Sequence, residues 1–124
     1  MNEGLTKKLN DFFAQGKVAK YRRKEIILRA GEPIFVIFLL KKGNVSQYLI
    51  SEEGEEVTIH LYRSGSFFPI MLIITDTPNR YYFEAETAVE TYRLPPEEVI
   101  KFVKSNPDVL FDLTERFGQA VIGL

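Results

Sequence analysis

The chain has 124 residues, 45% apolar and 27% charged, which suits one ordinary domain with a real core and argues against disorder. Its formal net charge of −1 lacks the basic excess that phosphate contacts require, so these residues alone are not expected to bind DNA or RNA. Cysteine is absent, which excludes disulfides, thiolate metal sites, iron–sulfur ligation and a cysteine nucleophile, and fits a reducing cytoplasm.

Met1 to Asn10 lacks the apolar run of a signal peptide. Leu5, Leu9, Phe12 and Phe13 recur at helical spacing and predict a short amphipathic helix ending near Gly16. Lys17 to Leu28 is broken and charged and reads as one or two edge strands, and Ala30-Gly31-Glu32-Pro33 is a turn. Ile34 to Leu40 is the longest apolar run, far too short to span a bilayer and suited to a strand buried on both faces. No membrane association is expected.

After the turn Lys41-Lys42-Gly43-Asn44 come strands over Val45 to Ile50 and Val57 to Arg63, joined by an acidic tip, Ser51 to Glu56. The four carboxylates of that tip lack the ligand spacing of a calcium loop and read as a solvated turn. Phe67 to Arg80 is apolar, carries Pro69 and Pro78 and does not alternate, which predicts a turn, a helix of one or two turns, and a loop. Tyr81 to Thr87 and Val89 to Leu94 return to strand character. Pro95-Pro96-Glu97-Glu98 stops the strand and opens a helix carrying Val99, Ile100, Phe102 and Val103. Asn106-Pro107-Asp108 opens a last helix running towards Leu124. Strands clustered between terminal helices predict a mainly β fold: a jelly-roll-like antiparallel barrel with flanking N- and C-terminal helices. The predicted roll core is Ile34, Val36, Phe38, Leu40, Val45, Ile59, Leu61, Phe83 and Val89.

Catalysis is not expected. The single histidine, His60, lies opposite the apolar positions Val57, Ile59 and Leu61 and reads as a surface residue. One histidine cannot build the metal centre of a cupin-like enzyme, and no nucleophile elbow, Walker loop or dinucleotide fingerprint occurs. No metal or cofactor is expected.

Five segments taken in order resemble the cyclic-nucleotide-binding domain of the Crp/Fnr family of bacterial transcription regulators. They are Ile26 to Pro33, Phe38 to Val45, Leu49 to Thr58, Ser64-Gly65-Ser66-Phe67-Phe68 and Ala85 to Glu90. No single piece is specific; their order and spacing are. The resemblance implies a roll holding an effector, a helix behind it that forms a homodimer, and DNA reading by a helix-turn-helix domain. The chain stops where the dimer helix would still be running, so residues 1–124 are expected to be a sensor domain, with 106–124 starting the dimerisation helix and DNA reached only through a domain absent from this chain. The expected helix seam is Leu110, Leu113, Phe117, Ala120 and Leu124, spaced like a coiled-coil a/d stripe. Val109, Phe111 and Val121 suggest that the seam is shared between the roll and the partner.

The cassette departs from the family pattern. Where cyclic-nucleotide binders read Phe-Gly-Glu, this chain reads Phe68-Pro69-Ile70, and where they carry an arginine followed by small residues it reads Asn79-Arg80-Tyr81-Tyr82. Proline offers no N–H and isoleucine accepts no hydrogen bond. A small-molecule effector other than cyclic AMP is therefore expected, contacting Phe68, Pro69, Ile70, Met71, Asn79, Arg80, Tyr81 and Tyr82. Asp76, Glu84 and Glu86 are the alternative ion-pair partners for Arg80. Two other readings stay open: a ligand-free dimerisation scaffold with a filled pocket, and a cyclic-nucleotide switch of altered geometry.

Overall fold

A computed structural model describes residues 3–123. Helix α1 (Glu3–Phe13) precedes strands β1 (Lys17–Tyr21), β2 (Ile26–Leu28), β3 (Ile37–Lys42), β4 (Val45–Ile50), β5 (Glu56–Tyr62) and β6 (Phe67–Phe68). The five-residue helix α2 (Ile70–Ile74) leads to β7 (Tyr82–Ala85) and β8 (Val89–Leu94), then to helices α3 (Pro96–Ser105) and α4 (Pro107–Ile122). The strands form two four-stranded antiparallel sheets, β1-β8-β3-β6 and β2-β7-β4-β5. Both strands within Lys17 to Leu28 lie at sheet edges, as their broken, charged sequence predicts.

The apolar run at β3 explains how two cores are built from one strand. Ile37 and Leu39 join Leu5, Leu9, Phe13, Val99, Val103 and Val109 in a core behind the roll, backed by helices. Phe38 and Leu40 point the other way and join Val45, Phe68, Phe83 and Val89 inside the roll. Alternation along a pleated strand with cover on both faces requires this unbroken apolar sequence. Each such side chain contributes about 1.5–3 kcal/mol by burial.

The strand begins at Ile37 rather than Ile34. Its partner β8 ends at Leu94, opposite Ile37, because Pro95 follows, and upstream residues have no strand to pair with. Val36 packs on the roll core, Ile34 packs on the helix-backed core, and Phe35 is 75% exposed.

Two positions assigned to the core from sequence lie outside it. Ile59 is 48% and Leu61 55% exposed. The ladder pairs Val45 with Tyr62 and Gln47 with His60, so His60 and Tyr62 share the inward face of Val45, while Leu61 lies opposite Ser46 on the outer face. A bulge between Gln47 and Tyr48 leaves Ile59 as the extra residue and breaks the simple alternation. The ring of Tyr62 then fills the space that Leu61 was expected to fill.

Gly43 shows why one turn needs glycine. Its φ is +92°, and a Cβ there would collide with the carbonyl oxygen of Ala88. The β3–β4 turn thus packs against the β7–β8 turn, where the backbone N–H of Asn44 donates to Thr87 Oγ1 at 3.0 Å.

Candidate functional site

The interior of the roll is occupied by aromatic rings. Phe68 is fully buried, with ring centroids 5.4 Å from Phe38, 5.5 Å from Phe83 and 5.0 Å from Tyr62. The planes of Phe68 and Phe83 differ by 7°, and Tyr81 packs against the same core. Beside this stack lies a polar pair, Tyr62 and Gln47, that the sequence reading missed, with His60 at its margin, exposed as the sequence predicts. Tyr62 Oη donates to Gln47 Oε1 at 2.7 Å, and the His60 ring stands edge-on to Tyr62 at 4.6 Å. Burial pushes the Tyr62 phenol up, with the nearby Tyr81 adding to it, and burial lowers the His60 imidazole. The signal for Gln47 was available: it stands two residues after Val45, on the same face of β4.

A second missed residue is Arg93. It shares a cross-strand row with Phe38 and Phe68 on the inward side of the first sheet. Its Nε is buried and has no hydrogen-bond partner among the described residues.

The eight residues expected to form an effector site do not converge. Phe68 and Tyr81 face the roll interior. Ile70 is 2% exposed but belongs to the helix-backed core, and Met71 packs against that same core. A glutamate at position 70 would therefore place a carboxylate among apolar side chains, not in the roll. Pro69 is buried and caps α2 with no side-chain hydrogen bond. Tyr82 points to the outer face of the second sheet, where it stacks on Tyr48 at 5.4 Å. Tyr48 in turn donates to Glu84 Oε1 at 2.9 Å, and burial together with this carboxylate raises its phenol pKa.

Asn79 is buried and serves the loop. Its Nδ2 donates to the Arg29 carbonyl at 3.2 Å, and its Oδ1 accepts from the Tyr81 N–H at 2.9 Å. Arg80 is exposed, and among the described residues it forms no ion pair with Asp76, Glu84 or Glu86. The arrangement offers aromatic packing, an amide–phenol pair and one inward guanidinium. Aromatic faces, an amide and a guanidinium are groups that can pack against or hydrogen-bond a ligand.

The expected helix seam is divided. Leu113 is 8% exposed and packs with Val109 in the chain's own helix-backed core. Leu110, Phe117 and Ala120 are exposed, and Leu124 lies outside the described residues. No helix among the described residues is long and apolar enough to cross a membrane.

The profile of the cyclic nucleotide-binding domain matches residues 18–106. The global nitrogen regulator of Nostoc sp. is 31% identical over 94 residues, covering 74% of this chain and 42% of that protein. The chain thus spans less than half the length of that relative. The fold is shared with the c-di-GMP responsive global regulator CLP of Xanthomonas campestris, at a TM-score of 0.82 and 16% identity over 98% of this chain and 60% of that one. It is also shared with the sensor domain of the transcriptional regulator DNR of Pseudomonas aeruginosa, at a TM-score of 0.72 and 19% identity over 90% and 75%. Two rolled antiparallel sheets, helices at both ends and the matched segment together place the chain in the cyclic nucleotide-binding domain family, with Crp/Fnr-type regulators as its homologues.

Proposed function

We propose that this chain is the effector-sensing domain of a Crp/Fnr-type transcription regulator and that its roll does not take cyclic AMP. The observation that carries the second half is the fate of the cassette. Phe68 fills the roll, Pro69 withholds an N–H at the start of α2, and Ile70 turns into the helix-backed core. Losing a hydrogen bond to a charged group costs about 1.5–3 kcal/mol, roughly ten- to a hundredfold in affinity per contact. Two or three such losses remove useful binding.

In this reading residues 107–122 begin a dimerisation helix, the regulator is a cytoplasmic homodimer without catalytic activity, and DNA is reached through a separate domain. The effector is a small molecule that meets the aromatic wall and the polar pair. The buried, unpartnered Nε of Arg93 supports a ligand with an acceptor atom. The aromatic stack favours a second reading, a dimerisation scaffold whose roll is permanently filled.

Isothermal titration calorimetry with cyclic AMP tests the proposal. No dissociation constant tighter than about 100 μM is expected, given the missing contacts. A low-micromolar constant would overturn it.

A further inference from the structure

Among the described residues, Arg93 alone has a buried side-chain nitrogen or oxygen that meets no hydrogen-bond partner. Native folds pair such atoms, because a donor shut off from water and left unpaired destabilises the fold. The surroundings of Arg93 say what would complete it.

The side chain belongs to a row across the inner face of the first sheet. Phe68, Phe38, Arg93 and Lys17 are cross-strand neighbours in that order. Two apolar rings thus run into two cations. The next inward pair, Thr91 and Ala19, is small, and the ring of Tyr21 beyond it still stands edge-on to Phe38 at 6.4 Å. Burial raises the Tyr21 phenol pKa, and the nearby charge of Arg93 pulls it down again. The guanidinium therefore has aromatic neighbours on one side and, by register, a second cation on the other. Arg93 as a whole is partly exposed, so a ligand can reach it from solvent.

No acid answers the two cations. Neither Arg93 nor Lys17 forms an ion pair among the described residues. Glu90 lies on the other face of β8, 4.0 Å from Lys41 and 3.7 Å from Lys42. Glu25, whose charge reaches Tyr21, accepts the backbone N–H of Arg22 at 2.9 Å.

We infer that Arg93 and Lys17 form an anion subsite on the inner face of the first sheet, which takes the charged oxygen group of an organic anion whose apolar body lies against Phe38 and Tyr21. This rests on the sensor reading above and adds the chemical class of the effector. The subsite is distinct from the cassette: it stands on β1 and β8 of the first sheet, whereas Arg80 precedes β7 of the second. A carboxylate and a phosphate present the same acceptor atoms to a guanidinium.

The chain has no tryptophan, so a naphthalene probe can be excited apart from the protein. Naphthoate, naphthyl phosphate and the neutral naphthalenemethanol are titrated into the whole chain and followed by fluorescence anisotropy. At least one anion is expected to bind at least tenfold tighter than the alcohol, since a hydrogen bond to a charged group is worth about ten- to a hundredfold in affinity. The tighter anion identifies the oxygen group. Arg93→Met keeps the apolar stem, removes the charge and should abolish the preference for an anion. Lys17→Met should reduce it about threefold, as suits an exposed charge. Because the guanidinium is unpaired, Arg93→Met should melt no lower than the parent. A fall of more than about 3 °C would make Arg93 a packing residue and overturn the inference. If the alcohol binds as well as both anions, or Arg93→Met keeps the preference, the inference fails while the sensor reading stands. If no probe binds tighter than about 10 mM, the inference fails and the filled-scaffold reading gains. Cyclic AMP displacing a bound probe at low micromolar concentration would overturn the cassette argument instead, whatever Arg93 does.

Discussion

Phe68→Ala removes the central ring of the roll. The parent side chain has no exposed surface and meets Phe38, Phe83 and Tyr62 at centroid distances of 5.4, 5.5 and 5.0 Å. Truncating a buried phenylalanine costs about 3–5 kcal/mol, the transfer term plus the cavity left behind. Losing three aromatic pairs argues for the upper end of that range. For a domain of this length about 1 kcal/mol moves the midpoint by roughly 3–5 °C, so Tm should fall by about 10–20 °C in calorimetry or circular dichroism. The cavity should be apolar and dry, and saturating benzene should raise the Tm of the variant without raising that of the parent. Phe35→Ala, at a residue 75% exposed, is the matched control and should stay within about 0.5 kcal/mol of the parent. A Phe68→Ala variant that melts within about 3 °C of the parent would refute the filled roll, and with it the main physical argument against nucleotide binding.

Gly43→Ala should cost about 1–3 kcal/mol in urea unfolding, because the position has φ +92° and the new Cβ meets the Ala88 carbonyl; a neutral result would mean the two turns do not pack as described. His60 has its pKa lowered by burial, so the folded state prefers the neutral ring. Its stabilising contribution is whole above the unfolded value of 6.5 and is lost as pH falls from there through the folded value. His60→Gln should therefore flatten the acid side of the Tm–pH profile below pH 6.5, and an unchanged slope would count against the packing of His60 on Tyr62.

Local chemistry made much of this fold legible. Pro95 ends β8, Pro107 opens α4, and the doubly buried strand at β3 follows from an apolar run with no polar break. The β5 face was misread because the pairing of Val45 with Tyr62 turns Tyr62 and His60 inward and Leu61 outward, and nothing in Val57-Thr58-Ile59-His60-Leu61 fixes that register; the extra residue Ile59 then breaks the alternation towards Val57. The cassette residues diverge for a different reason. Phe68, Ile70 and Tyr82 are all large and apolar or aromatic, so sequence pattern cannot say that they serve the roll, the helix-backed core and the outer sheet face respectively. Only the strand register and the short helix α2 separate them. Leu113 matched the expected seam in spacing, yet α1 and α3 reach it first.

The two-residue strand β6 explains how a roll of this kind can communicate with the helices behind it. Phe67 and Phe68 are neighbours in sequence and, by the pleat, face opposite sides. Phe68 belongs to the roll interior, and Phe67 belongs to the helix-backed core, 5.8 Å from the ring of Phe13. Ile70, two residues on, extends the contact to that same core. On the proposed reading, a ligand in the roll meets Phe68, whose side chain is fully buried among the roll residues. Close packing lets little of any shift of that ring be absorbed locally, so it reaches Phe67 and Ile70. Those residues touch the core that seats the first two turns of α4 through Val109 and Leu113. On the proposed reading, the packed contacts between roll and helices run through the aromatic rings of Phe68, Phe67 and Phe13.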